Sequence, residues 1–186
     1  MKRVFIMTIA LMFLFCIPLL SFAAGKPQPP SSGAFIPPAW SQKLPAAERF
    51  ALVLDGAAVL DKETGLVWER SPDNAYRIWI DAINQCYSKQ VGGRLGWRLP
   101  TVEELASLVD LTQSNPALPS GHPFDTDCTS GGCVQSYIYW SATTLAGAPS
   151  GVWGVNMDSG YVGYYDKTGY GVFVWCVRGG QGYDAY

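Results

Sequence analysis

A strand end, a turn and a helix start are fixed within one short stretch, Gly96-Trp97-Arg98-Leu99-Pro100-Thr101-Val102-Glu103-Glu104-Leu105. Thr101 is suited to cap a helix, Glu104 three residues later completes a capping box, and Pro100 keeps Leu99 extended. A helix is therefore predicted over Val102 to about Leu111, with Val102, Leu105, Leu108 and Val109 on one face. Everything else can be placed around it.

Upstream the pattern is strand and turn. Phe50 to Leu54 is apolar, Asp55-Gly56 is a turn signal, and Ala57 to Leu60 resumes the strand. Asp61-Lys62-Glu63-Thr64-Gly65 turns again before Leu66-Val67-Trp68, whose Trp is expected to be buried. Asn74 can cap a first helix from about Ala75 to Ser88, because Trp79, Ala82, Ile83 and Cys86 recur at helical spacing. Gly92-Gly93 ends that region.

Downstream, Thr112 to Tyr137 has no periodicity and is expected to be a long, stapled loop. The last third alternates strands with turns: Tyr137 to Ala142, Val152 to Met157, Tyr161 to Tyr165 and Gly171 to Arg178. In the last of these Val172, Val174 and Cys176 share one face and Phe173, Trp175 and Val177 the other. Apolar side chains on both faces predict a central strand covered on both sides.

The first residues read as an export signal. Lys2 and Arg3 precede an apolar run from Val4 to Leu20, and Ser21-Phe22-Ala23 offers a cleavage site, so residues 1–23 are expected to be removed. The competing reading, a retained anchor, is opposed by Pro18 and by a run shorter than the roughly 20 residues a span requires. Gly25 to Pro45 is proline-rich and lacks a Gly-X-Y period, which predicts a linker over residues 24–50. Ala46 to Phe50 is expected to form a helical turn leading into a domain over residues 51–180, followed by a tail at 181–186. No apolar run after the signal is long enough to cross a membrane. The expected location is the periplasm, the cell surface or the medium.

The formal charge of -2 becomes -4 once Lys2 and Arg3 are removed. Phosphate binding needs clustered basic surface, so nucleic acid is not an expected partner. Cys16 leaves with the signal, and the remaining Cys86, Cys128, Cys133 and Cys176 read as disulfides in an exported protein. Four cysteines permit three pairings. Proximity in sequence favours Cys128 with Cys133, leaving Cys86 for Cys176. A metal or redox site has little support, since the spacing is not C-x-x-C and His122 is the chain's single histidine. Asp125 and Asp127 fall short of the six or more oxygens that calcium takes. No cofactor is expected, and no nucleophile stands beside His122 to make a hydrolytic triad.

A candidate ligand surface is Trp153, Asn156, Asp158, Tyr161, Tyr164, Tyr165 and Tyr170, where rings alternate with Gly and short polar residues. Flat rings against sugar C–H faces, with Asn and Asp taking hydroxyls, would make a carbohydrate platform. Tyr serves protein recognition equally well, and it also packs sheets for its own sake.

Several motifs together resemble an exported bacterial family. They are Asp61 with Thr64-Gly65-Leu66-Val67-Trp68, Ala82 with Cys86, Gly92-Gly93 followed by Trp97-Arg98-Leu99-Pro100-Thr101 and Glu104-Leu105, Tyr139-Trp140-Ser141-Ala142-Thr143, and Cys176-Val177-Arg178. Over about Leu52 to Gly180 the chain resembles the C-terminal domain of the Legionella collagen-like adhesin, formerly a domain of unknown function, and through it the C-type lectin-like fold. The resemblance implies an α+β domain with an N-terminal hairpin, two helices, a long stapled loop and a terminal antiparallel sheet. It also implies a surface or secreted, non-catalytic binding module for a glycan or a surface protein. The chain lacks the Glu-Pro-Asn or Gln-Pro-Asp and Trp-Asn-Asp signatures of calcium-dependent sugar lectins, and Phe173-Val174-Trp175 stands where the latter would fall. Two other roles follow from the same resemblance: an oxidase related to the formylglycine-generating enzymes, which would need reactive thiols, and a structural part of the envelope.

Overall fold

The computed structural model describes residues 44–129, 131–169 and 171–179. Within them the chain is a mixed α/β domain of two small antiparallel sheets and three helices. The residues expected to be a signal, most of the proline-rich segment, Tyr170 and the C-terminal tail lie outside the described residues.

The first sheet begins with helix α1 (Ala46–Arg49), which runs straight into β1 (Phe50–Val53). β2 (Ala58–Asp61) and β3 (Leu66–Glu69) follow, and the sheet order is β1-β2-β3-β7, where β7 is Val177–Gly179 near the C-terminus. The turn into β3 is closed by the Gly65 N–H donating to Asp61 O at 2.8 Å, with Gly65 at φ +70°. Val59 stands opposite Trp68 and Leu60 opposite Val67, so the pleat sends Val59 and Trp68 into one apolar cluster and Val67 into another.

Helix α2 (Trp79–Ser88) begins at the first residue of its apolar periodicity, four residues later than a cap at Asn74 predicts. Arg77 is held extended by an antiparallel bridge to Val172, N–H to O at 3.0 Å in both directions, which prevents a helix from starting before it. Asn74 does not cap the helix. Its Nδ2 donates to Gly131 O at 2.7 Å and its Oδ1 accepts from Cys133 N at 3.2 Å, anchoring the long loop instead. Ala82 and Cys86 are buried on the expected face.

Helix α3 (Val102–Ala106) starts at the predicted cap. Thr101 Oγ1 accepts from Glu104 N at 3.2 Å while Glu104 Oε2 accepts from Thr101 N at 2.8 Å, satisfying two end donors reciprocally. The helix is shorter than predicted because it tightens into i to i+3 bonds, Leu108 N to Leu105 O at 3.3 Å and Val109 N to Ala106 O at 3.1 Å. Leu108 and Val109 remain buried on that tightened turn.

The loop after α3 is irregular but packed, since Ala117, Leu118, Phe124, Cys133 and Val134 are all buried. Cys128 is bonded to Cys133, and Cys86 to Cys176 across a separation of 90 residues. The second sheet has the order β4-β5-β6, built from Ile138–Thr144, Gly151–Asn156 and Tyr161–Asp166.

The segment predicted as a single central strand, Gly171 to Arg178, behaves differently. Its side chains alternate as expected: Val172, Val174 and Cys176 enter the cluster of Ala82, Trp97 and Trp140, whereas Phe173, Trp175 and Val177 enter that of Trp68 and Leu105. Its backbone changes partner repeatedly, from Arg77 at Val172 to β4 at Phe173, then β3 at Cys176 and Arg98 at Val177. Only Val177–Gly179 therefore forms a regular strand. The segment partitions the two apolar clusters and links both sheets by hydrogen bonds.

At its centre Glu69 is buried, with Oε2 accepting from Cys176 N at 2.9 Å and Oε1 paired with Lys89. Burial pushes this carboxyl above its ordinary pKa, against the pull of Lys89 and the Cys176 N–H.

Candidate functional site

The aromatic stretch of the last third lies on β5, β6 and the turn between them, where the register assigns each side chain to a face. Val152 stands opposite Tyr165, Gly154 opposite Gly163 and Asn156 opposite Tyr161, while Trp153 stands opposite Tyr164 and Val155 opposite Val162. Residues directly opposite in an antiparallel pair project on the same side. One face thus carries Asn156, Tyr161 and Tyr165, and the other carries Trp153 and Tyr164. The pleat divides the predicted platform between two surfaces, with Asp158 in the connecting turn and Tyr170 outside the described residues.

On the first face two glycines are paired at the middle of the sheet, and tyrosine rings cover them. A Cβ at Gly163 would lie 2.8 Å from Tyr161 Cε1 and 3.1 Å from the Tyr165 hydroxyl; one at Gly154 would lie 3.2 Å from the Tyr165 ring. The bare backbone is what lets both rings settle there. Tyr165 also meets Trp140 edge to face at 6.1 Å, within the usual range for aromatic pairs. Its hydroxyl is pushed above the ordinary phenol pKa by burial, and further by the Tyr161 and Tyr137 phenols nearby.

Beside Tyr165 opens a cavity of about 310 Å³, lined by Tyr137 and Ile138 from β4 and its approach, and by Asp166, Gly169, Gly171 and Val172. Such a volume is at the small end for small-molecule sites. Tyr137 is steadied by Tyr76 at 6.0 Å and by Phe173 at 5.9 Å, and Tyr76 stacks on Phe173 at 4.4 Å. The sequence reading missed Tyr76, Tyr137 and Ile138. Tyr76 precedes Tyr137 by some sixty positions in the chain, and no local spacing signals that the Arg77 to Val172 bridge brings them together.

The polar members of the predicted set have structural duties. Asn156 Oδ1 accepts from Asp158 N at 2.9 Å, and Asn156 O accepts from Gly160 N at 2.8 Å, so Asn156 shapes the β5 to β6 turn. Asp158 O accepts from Asn115 N at 3.0 Å, joining that turn to the long loop. On the opposite face Trp153 and Tyr164 form an edge-to-face pair at 6.1 Å, with Tyr164 64% exposed.

Among the described residues no group of three or more His, Cys, Asp and Glu is placed to hold a metal ion. Asp125 and Asp127 are engaged in local turns, accepting from Asp127 N and Thr129 N at 3.0 Å. Burial holds His122 below the ordinary imidazole pKa, and its ring leans on Phe124 at 5.7 Å. Arg98 grips Glu104 with two bonds of 2.7 and 2.6 Å, which ties the Gly96 to Leu105 stretch together.

Fold and site together define a small, doubly disulfide-linked α/β domain with aromatic side chains gathered on a sheet. No helix among the described residues is long and apolar enough to cross a membrane. The sequence model of the Lcl C-terminal domain matches residues 57–178, and the chain belongs to that family. No curated protein matches the chain. The matched span begins after α1 and β1, although β1 pairs with β2 as part of the first sheet.

Proposed function

We propose that this protein is an exported, adhesin-like, non-catalytic binding module that recognises carbohydrate through the sheet face bearing Tyr161 and Tyr165. In this reading residues 1–23 are a signal peptide and the proline-rich segment is a tether. The folded unit from α1 onward has the C-type lectin-like arrangement. The observation that carries the reading is the gathering of Tyr161 and Tyr165 over the Gly154 and Gly163 backbone, beside a cavity that Tyr137 also lines. Rings held by packing present flat apolar surface with phenol groups at the edge, the combination that orients a small polar ligand.

Membership of the Lcl C-terminal domain family supports a surface-associated role. Both cysteine pairs are bonded, which favours a binding module over an oxidase that would need free thiolates. A protein ligand is the second reading, favoured by the exposed Tyr164 braced edge to face by the half-buried Trp153 on the opposite face, because Tyr and Trp add contact area at low entropic cost.

The test is a glycan array probed with the oxidised chain from residue 24, with calcium and with chelator. Specific binding that falls about tenfold or more, roughly 1.4 kcal/mol, on Tyr161→Ala is the expected result. An array with no bound glycan would overturn the carbohydrate reading, and binding lost only on Tyr164→Ala would move the site to the other face. Titration with a thiol reagent should find no reactive cysteine; two or more would favour the oxidase.

A further inference from the structure

The cavity beside β6 is walled by aromatic and aliphatic side chains and glycine backbone, with Asp166 at its rim. Tyr165 and Ile138 rise from the sheet face, Tyr137 closes one side, and Gly169, Gly171 and Val172 form the other. Gly171 lies so close to Tyr76 that a Cβ there would sit 2.9 Å from the Tyr76 Cβ. The turn is thus pressed against the aromatic cluster that steadies Tyr137. Among the described residues that line the cavity none is basic.

Among the described residues, Lys167 and Arg77 belong to segments that flank the cavity, and both are engaged elsewhere. Lys167 Nζ lies 4.1 Å from the Trp79 ring centroid and donates to Thr144 Oγ1 at 2.9 Å. Arg77 donates to Asp73 Oδ2 at 3.0 Å and to Gln85. Asp166, on the rim, accepts from both the side chain and the N–H of Thr168, at 2.7 and 2.8 Å. These bonds hold its carboxyl below the ordinary range, so it is an anion at neutral pH.

A sulfate or carboxylate entering such a cavity would give up water and meet the Asp166 carboxylate, with no cation among the described lining residues to replace that water. An uncharged pyranose would lose little, since its C–H face can rest on the rings while its hydroxyls reach phenol oxygens and the open edge.

We infer that this cavity selects a neutral sugar ring over sulfated or uronic sugars, with Tyr137 and Tyr165 as the residues that hold it. The inference rests on the carbohydrate reading above and names the ligand class of that site.

The experiment compares array glycans that differ only in the terminal residue, neutral hexose or N-acetylhexosamine against sulfated hexose or uronic acid. The probes are the oxidised chain and three variants, Tyr137→Ala, Tyr164→Ala and Asp166→Lys. Neutral termini should bind about tenfold or more better than anionic ones. Tyr137→Ala should lower that binding by about tenfold, while Tyr164→Ala on the opposite face should stay within about twofold, the scatter expected of remote surface changes. Asp166→Lys places a cation on the exposed rim and should raise binding of anionic termini by about tenfold, a readout that remains if Tyr137→Ala fails to fold. Preference for anionic termini in the unaltered chain, or binding that survives Tyr137→Ala and is lost in Tyr164→Ala, would overturn this inference while leaving carbohydrate recognition intact. No glycan bound by any variant would overturn both.

Discussion

Arg49 and Asp61 form a fully buried, two-pronged ion pair, Nε to Oδ1 at 2.9 Å and Nη2 to Oδ2 at 2.6 Å, with exposures of 1% and 0%. Arg49 ends α1, outside the matched family span, and Asp61 ends β2 within it. The pair therefore joins the entering chain to the first sheet, and Arg49 Nη2 extends the link to Ser107 O at 2.9 Å.

Removing one partner leaves the other charged and without water. Arg49→Met should cost about 3–5 kcal/mol, whereas Arg49→Met combined with Asp61→Leu should recover only part of that loss, because Glu63 Oε2, 3.6 Å from Arg49 Nε, also loses the guanidinium. Urea midpoints of the two variants, compared with the unaltered chain, check this. A single-variant loss below about 1 kcal/mol would mean the pair is solvated during the lifetime of the native state.

The two disulfides should differ in their contribution. On the chain-entropy account, closing a 90-residue separation stabilises by about 4–5 kcal/mol and closing a 5-residue one by about 2 kcal/mol. Replacing Cys86 and Cys176 with Ser should lower the melting temperature well below that of the chain with Cys128 and Cys133 replaced. Equal losses would show that the unfolded chain, rather than loop length, sets the effect.

Glu104 gives the protein an acid-sensitive joint. Burial opposes its ionisation, but the Arg98 guanidinium and the Thr101 N–H outweigh burial and hold its pKa below the ordinary value. A carboxyl whose folded pKa is depressed stabilises fully above its unfolded pKa and loses that contribution as pH falls through the folded one. Stability of the unaltered chain should therefore fall as pH drops below about 4.5, while Glu104→Gln should start lower at neutral pH and show a shallower acid fall. Thr101→Ala should cost about 1 kcal/mol at neutral pH through loss of the cap. Urea midpoints between pH 7 and 3 measure both, and parallel curves for Glu104→Gln and the unaltered chain would contradict the assignment.

The parts of this protein that were legible in the sequence are those fixed by near neighbours. The capping box at Thr101 and Glu104, the turn at Gly65, the Cys128 to Cys133 pair and the two-faced alternation from Val172 to Val177 each depend on residues a few positions apart. Local sterics and hydrogen bonding determine them before the chain is packed. Tertiary structure decided the rest. Helix α2 starts later than a cap at Asn74 predicts because Arg77 bonds to Val172, and the last segment is not one strand because four partners compete for its backbone. The predicted platform was a run of rings along the sequence, but a strand turns successive side chains to opposite faces. Tyr161 and Tyr165 were thereby parted from Trp153 and Tyr164 and joined by Tyr137, which no spacing in the sequence could indicate.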